Sequence, residues 1–272
     1  MSDFLSYKNK RVIVSGCYSG MGEATAQWLV ELGAEVHGLD FKDSTLKLAS
    51  FSRMDLRDKA SIDAAVAKIG GKVDALFNCA GLPQTAPVMD TMKVNFIGLR
   101  HLTERVLPLM SSGSAIANIA STAALGWSRR VPEVMDFIKS EGFEAAIKWC
   151  DDHAETVSQA YSFSKEAVVV WTMMTSATLI KRGIRHNCTI PGPTQTPLMS
   201  EFEKAGKDVI EAATQPINRR ATPKEQAGPL LFLNSNVVAS YVNGVVLPVD
   251  GGFMGGMATG QVDMSKMMPK AT

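Results

Sequence analysis

The chain has 272 residues, 46% of them hydrophobic, enough to build one sizeable core. Its 28 basic and 27 acidic residues nearly cancel, so no overall basic charge argues for a nucleic-acid binder. No run approaches the roughly 18 apolar residues of a membrane span, and the N-terminus lacks a basic stretch followed by an apolar one, so the expected location is the cytoplasm.

The elements alternate along the chain. Arg11 to Ser15 is a short β-branched run that ends in glycines, and it predicts a first strand. Residues 23–33 follow with helical periodicity and stop at Gly33. Residues 34–40 read as a second strand. Residues 61–69 read as a helix with Ser61 at its N-cap, and residues 73–78 as a buried strand. A helix over 94–110 and a strand over 115–120 come next. A long apolar helix over 162–182, a strand over 184–190, a helix over 224–233 and a strand over 245–249 complete the pattern. Repeated strand–helix–strand units with apolar strands predict an α/β protein, a parallel sheet covered by helices on both faces. No linker splits the chain, so 1–272 is expected to be one domain. The Gly- and Met-rich end, about 253–272, is expected to be flexible or docked on a neighbour.

The first chemistry lies in Ser15-Gly16-Cys17-Tyr18-Ser19-Gly20-Met21-Gly22, between the first strand and the first helix. Glycines there permit a tight turn and let the backbone approach a pyrophosphate, which rests on the helix N-terminus. A tight turn without a ligand is the plainer alternative. Asp40 closes the second strand, where a carboxylate accepts hydrogen bonds from both ribose hydroxyls and repels a 2′-phosphate. NAD is therefore expected ahead of NADP, with Lys42 as a nearby cation that blurs the preference.

Tyr161 and Lys165 stand in Tyr-Ser-Phe-Ser-Lys, one turn apart on a predicted helix. A lysine so placed is expected to lower the phenol's pKa, and a phenol tuned toward neutrality passes a proton to or from a reacting oxygen. Ser121 ends a predicted strand, at the sheet edge where open α/β sheets bind ligands. Its hydroxyl could hold a substrate oxygen near Tyr161; Thr122 is its neighbour.

These parts, in this order from Lys10 to about Phe253, resemble the short-chain dehydrogenase/reductase family. The signals are Gly16, Gly20 and Gly22; Asp55-Leu56; Asn78-Cys79-Ala80-Gly81; Ser121 with Tyr161 and Lys165; and Pro191-Gly192 with Thr196. The resemblance implies a Rossmann-like, doubly wound parallel sheet and NAD-dependent alcohol or ketone chemistry. It implies that Asp55 caps the adenine amino group beside the Leu56 amide. Asn78, Ala80 and Gly81 would line the adenosine side and steady the sheet. Asn95 would hold a water that links Lys165 to solvent, while Lys165 grips the nicotinamide ribose. Pro191, Gly192, Thr194 and Thr196 would hold the nicotinamide amide, and Ser19 and Met21 would join the glycine turn at the cofactor. Two departures stand out: Cys79 where the family commonly has a second asparagine, and Ile190 where it often has a small residue.

Forty residues separate Ser121 from Tyr161, and the extra segment, about 127–156, reads as one or two amphipathic helices. With Ser-Gly-Cys at the first turn and Cys-Ala-Gly-Leu-Pro-Gln at 79–84, it resembles the subgroup of bacterial 3α-hydroxysteroid dehydrogenases/carbonyl reductases and coniferyl-alcohol dehydrogenases. In that subgroup the insertion lies near the substrate mouth and a subunit contact; a merely stabilising decoration is the alternative. Pro83, Trp127, Pro193, Leu198, Met199 and Phe202 are candidate pocket residues, all apolar, so the expected substrate is a small hydrophobic alcohol or ketone. A steroid-like secondary alcohol is placed ahead of an aryl or allylic one. Residues 198–207 read as a mobile lid.

The four cysteines, Cys17, Cys79, Cys150 and Cys188, show no pairing or metal-ligand spacing and read as reduced thiols. His37, His101, His153 and His186 show none either, so no metal is expected. Neither a nucleic-acid nor a membrane partner is expected; a homodimer or homotetramer is. A non-catalytic NAD-binding regulator, or a lyase or epimerase with retained cofactor, is the competing class.

Overall fold

The computed structural model describes residues 5–263 and 265. Seven parallel strands form one sheet in the order β3-β2-β1-β4-β5-β6-β7. The strands are β1 (Arg11–Ser15), β2 (Glu35–Asp40), β3 (Ser50–Arg53), β4 (Val73–Asn78), β5 (Met110–Ile119), β6 (Arg185–Pro191) and β7 (Val246–Val249). Val12, Ile13 and Val14 of β1 are fully buried, as is every residue of β6, because helices cover both faces. Ile13, Leu76 and Ile116 belong to the core of one face; Val12, Val14, Phe77 and Ala117 belong to that of the other. The predicted doubly wound α/β fold is the observed one.

The chain order reverses at β1, where β2 and β3 go to one side and β4 to the other. This switch point opens a crevice at the carboxyl ends of β1 and β4. Helix α1 (Gly20–Glu31) leaves β1 directly into that crevice. Helix α2 (Lys59–Ile69) starts two residues before its expected N-cap. Asp58, not Ser61, caps it, accepting from the Ala60 N–H at 2.9 Å; Ser61 Oγ instead accepts the Asp55 N–H.

The helix expected over 94–110 is a composite. It comprises α3 (Val88–Met92), a π-helical turn (Lys93–Ile97), α4 (Gly98–Val106) and a 3-10 turn, Leu107–Leu109. Strand β5 begins at Met110, earlier than expected. Gly98 explains part of this path: a Cβ there would lie 2.1 Å from the Leu56 carbonyl oxygen, so only glycine admits the close crossing. Strand β3 is short and polar, which is why its sequence carries no strand signal.

The segment between Ser121 and Tyr161, expected to hold one or two helices, folds as two, α5 (Val131–Ile138) and α6 (Phe143–Asp152). Their apolar faces, including Val134, Phe137, Phe143 and Ala146, join the core of α7 (Ala160–Leu179). Phe137 and Phe163 of α7 meet at 5.6 Å between ring centroids, and Arg130 lies over the Phe163 ring.

Residues 198–207, expected as a lid, belong mostly to a helix, α8 (Met199–Thr214), kinked at Gly206. Helices α9 (Pro223–Asn234) and α10 (Phe253–Ala258) follow. Phe253 and Val262 are buried near Ala213, so the start of the Gly- and Met-rich end is packed on this chain. The rest of that end, residues 264 and 266–272, lies outside the described residues.

Candidate active site

A cleft of ≈ 830 Å³ runs along the carboxyl ends of the strands. Gly16, Ser19, Met21 and Gly22 line its floor. Gly16 has φ 75°, and a Cβ there would lie 2.5 Å from the Ala80 nitrogen, so the turn packs directly on the chain after β4. Gly20 is not on the cleft wall; it backs onto Thr196. Ser19 is the N-cap of α1 but makes no side-chain cap bond, which leaves the N–H groups of the first turn without a side-chain acceptor. An uncapped helix start with a positive dipole end suits a phosphate.

Asp40 sits where β2 ends, on the same cleft. Its two oxygens accept N–H groups from Tyr18 at 3.0 Å and Lys42 at 2.9 Å, which fix the carboxylate and leave a lone pair on each oxygen. The Lys42 ammonium lies 5.2 Å from the Tyr18 ring centroid. Asp55 and Leu56 line the next stretch. The Asp55 carboxylate, however, is held by Arg57 through Nε and Nη2, at 2.8–3.1 Å. That pairing, with the Arg57 N–H, holds its pKa below the ordinary carboxylate value, and it occupies the acceptors expected to meet the adenine amino group.

Asn78 is a correction. It is buried in the sheet, where its amide donates to Thr103 Oγ1 and Asn118 Oδ1 at 2.9 and 2.8 Å, and it does not reach the cleft. Its role in steadying the sheet fits this geometry; lining the adenosine side does not. Ala80 and Gly81 do line the cleft, beside Cys79.

Ser121, Tyr161 and Lys165 converge on one side of the cleft. Ser121 follows β5, and its Oγ accepts the Ala123 N–H at 3.1 Å, which leaves the hydroxyl proton for the neighbouring Tyr161 oxygen. Tyr161 and Lys165 share one face of α7 as their spacing predicts. Lys165 Nζ donates to the Ile119 carbonyl at 2.9 Å. Burial pulls the lysine down to about 8, partly offset by the neighbouring Cys79 and Cys188 thiols. Burial also pushes the Tyr161 phenol up to about 12, against the pull of its hydrogen bond with Ser121. The expected lowering of the phenol by Lys165 is not what this state shows: partial removal from water outweighs the pull of Ser121.

Asn95 sits in the π-helical turn, fully buried, and does not form the cleft wall. Its Oδ1 accepts the Leu82 N–H at 2.7 Å, and its Nδ2 faces the Leu82 carbonyl and Ser164 Oγ. Both Asn95 and Lys165 crowd Gly81: a Cβ there would be 3.4 Å from Asn95 Oδ1 and 3.6 Å from Lys165 Nζ. A π-turn at this point shifts one side chain out of α-helical register, a device common at functional sites.

Pro191, Gly192, Thr194 and Thr196 line the end of the cleft after β6. Of the candidate substrate residues, Pro193, Leu198, Met199 and Phe202 line it too. Phe202 meets the Tyr161 ring edge-on, 5.0 Å between centroids. Pro83 and Trp127 do not line it. Pro83 belongs to a turn closed by the Ala86 N–H, and Trp127 packs against the main core. Sequence reading missed Val209, Ile210 and Ala213 of α8 and Phe253 of α10, which complete the apolar end. The spacing of Phe202, Val209, Ile210 and Ala213 on one helix face was the available signal. It also missed Phe41 and Arg57, which carry no motif.

Among the described residues no group of three or more His, Cys, Asp or Glu could hold a metal ion, and no helix is long and apolar enough to cross a membrane.

Residues 10–132 match the short chain dehydrogenase family, and residues 149–254 match the Enoyl-(Acyl carrier protein) reductase family. The coniferyl-alcohol dehydrogenase of Pseudomonas sp. (strain HR199 / DSM 7063) is 33% identical over 246 residues, 90% of this chain and 96% of that protein. The chain belongs to the short-chain dehydrogenase/reductase family. The 3-alpha-hydroxysteroid dehydrogenase/carbonyl reductase of Comamonas testosteroni is 31% identical over 89% of this chain and 95% of its own. Among solved structures, the 3-alpha-hydroxysteroid dehydrogenase of Pseudomonas sp. B-0831, complexed with NADH, superposes with a TM-score of 0.77. It is 28% identical and covers 93% of this chain and 99% of its own. The enzyme is thus a short-chain, NAD(P)-dependent dehydrogenase/reductase acting on alcohol or carbonyl groups.

Proposed function

We propose that this enzyme interconverts a hydrophobic secondary alcohol and its ketone with NAD as cofactor. The observation that carries the reading is the meeting of Ser121, Tyr161 and Lys165 at an apolar pocket end formed by Leu198, Met199 and Phe202. NAD rather than NADP is favoured by Asp40, whose fixed carboxylate can take two ribose hydroxyls and repels a 2′-phosphate. Gly16, Ser19, Met21 and Gly22 would hold the pyrophosphate, and Gly192, Thr194 and Thr196 the nicotinamide amide. Bound there, the nicotinamide supplies the two-electron redox step.

The chain's own residues handle the proton and the oxygen. In ketone reduction Tyr161 Oη gives its proton to the developing alkoxide, and the Ser121 hydroxyl turns from Tyr161 to donate a second hydrogen bond to the same oxygen. Lys165 holds a positive charge beside the phenol as the proton leaves, and Asn95 fixes the Gly81–Leu82 backbone against which the lysine packs. In alcohol oxidation the phenolate takes the alcohol proton. Apolar side chains of α8 and Phe253 of α10 line this end.

A steroid-like alcohol is the favoured substrate, in keeping with the NADH-bound structural relative and the Comamonas enzyme. A coniferyl-type allylic alcohol is the second reading, supported by the Pseudomonas relative and by the Phe202 edge, which suits an aromatic ring. NAD reduction assayed with androsterone-like steroids, cinnamyl-type alcohols and simple aryl alcohols separates the two. Turnover of none would defeat both and favour a non-catalytic NAD-binding protein. The whole chain would act as one domain in a homodimer or homotetramer, as the fully exposed Tyr241 suggests; a clean monomer by light scattering at micromolar concentration would exclude that.

A further inference from the structure

Two cationic side chains line the adenosine end of the cleft beside Asp40, Phe41 and Asp55. They are Lys42 and Arg57, and among the described residues Arg57 is the only arginine on the wall of this cleft. A guanidinium there has the shape and charge to take a phosphate through two parallel N–H bonds. Arg57 is not free to do so. Its Nε and Nη2 fork the Asp55 carboxylate at 2.8–3.1 Å, and its Nη1 donates to Asp90 Oδ2 at 3.2 Å. Its backbone N–H also donates to Asp55 Oδ1 at 2.9 Å. The guanidinium carbon lies 5.4 Å from the Phe41 ring centroid, while that ring is 55% exposed and lines the cleft.

We propose that Arg57, caged between Asp55 and Asp90, is a specificity residue of the dinucleotide site. The cage withholds the guanidinium from a 2′-phosphate and places it against Phe41, stiffening that ring as a wall for the base. This deepens the NAD reading and rests on it. Asp40 repels a 2′-phosphate by its charge; the cage removes the cation that would otherwise compensate. Asp55 thereby serves the adenosine site through Arg57 rather than by meeting the base itself. Asp90 lies at the start of α3, 35 residues further along, so two separate segments are needed to close the cage.

The test uses adenosine fragments and reads binding, not turnover. Calorimetric titrations with ADP and with 2′,5′-ADP are compared for the parent, Asp90→Asn, and the pair Asp55→Asn/Asp90→Asn. Opening the cage is expected to raise 2′,5′-ADP affinity about threefold for the single variant and about tenfold for the pair, as fits a newly available charge-assisted bond. The gain should weaken with added salt and vanish when Arg57→Gln is added to the pair. Asp90→Asn alone should leave ADP binding within about twofold, since Asp90 does not line the cleft. If the pair's affinity for 2′,5′-ADP relative to ADP is no higher than the parent's, the proposal is wrong. A gain that survives Arg57→Gln would also overturn it. A parent that binds neither fragment would remove the NAD reading and this proposal together.

Discussion

Replacing Tyr161 by phenylalanine removes one oxygen and leaves everything else in place. The ring keeps its edge contact with Phe202 at 5.0 Å, and no cavity opens in the core. The lost partner is the Ser121 hydroxyl, which retains the Ala123 N–H, so the stability change should stay within about 1 kcal/mol. Catalysis should suffer far more. Loss of a positioned general acid costs about 10²–10⁴ in rate, or about 3–5 kcal/mol of transition-state stabilisation. The remaining neighbours are poor substitutes: the Ser121 hydroxyl does not ionise at working pH, and Lys165 Nζ is anchored on the Ile119 carbonyl at 2.9 Å. The assay is ketone-dependent NADH oxidation for parent and Tyr161→Phe, with NADH binding followed by fluorescence and unfolding by thermal melt. Lost turnover with kept binding and an unchanged melt is the expected result. A variant that holds more than a third of the parental rate would refute the proton-transfer role.

The pH dependence carries a direction of its own. With the phenol pushed up to about 12, the donor form prevails through neutrality, so ketone reduction should not vary with this group between pH 6 and 9, whereas alcohol oxidation should climb toward alkaline pH; steady-state profiles in both directions check this. Lys165→Met should abolish activity yet raise the melting temperature at pH 7. The folded lysine, at about 8 against 10.5 unfolded, binds fewer protons than the unfolded chain between those values, so its burial costs about 3 kcal/mol below pH 8 and the cost fades as pH rises to 10.5. His186 is fully buried and lies against Asn118 and Thr175, with burial holding it down to about 3. The unfolded histidine therefore binds more protons between pH 3 and 6.5, and stability should fall by up to about 5 kcal/mol as pH drops across that window; denaturant titrations of parent and His186→Asn should diverge there. Gly22→Ala should destabilise by about 1–3 kcal/mol and weaken NAD binding, because its Cβ would meet the Gly16 carbonyl oxygen at 2.1 Å; melting and NAD titration report both effects.

Much of this site was legible in the chain because its chemistry is local. Glycines between a strand and a helix, an acid at the next strand end, and a tyrosine and lysine one helical turn apart each occupy a few consecutive positions. Backbone periodicity alone then fixes their geometry, and the structure places Gly16, Asp40, Ser121, Tyr161 and Lys165 on one cleft. The alternation of apolar strands and amphipathic helices likewise determined the parallel sheet, since buried parallel strands need helical crossovers. Tertiary structure decided what depends on distant segments. Whether Asn78 faces ligand or sheet rests on Thr103 and Asn118, far along the chain. The environment of Asp55 rests on Arg57 and, through it, Asp90. The acidity of Tyr161 follows from how far its surroundings shield it from water and from its bond with Ser121, which no spacing encodes. Pattern fixes which face a side chain takes on its own element; only the packed whole sets its neighbours and its dielectric.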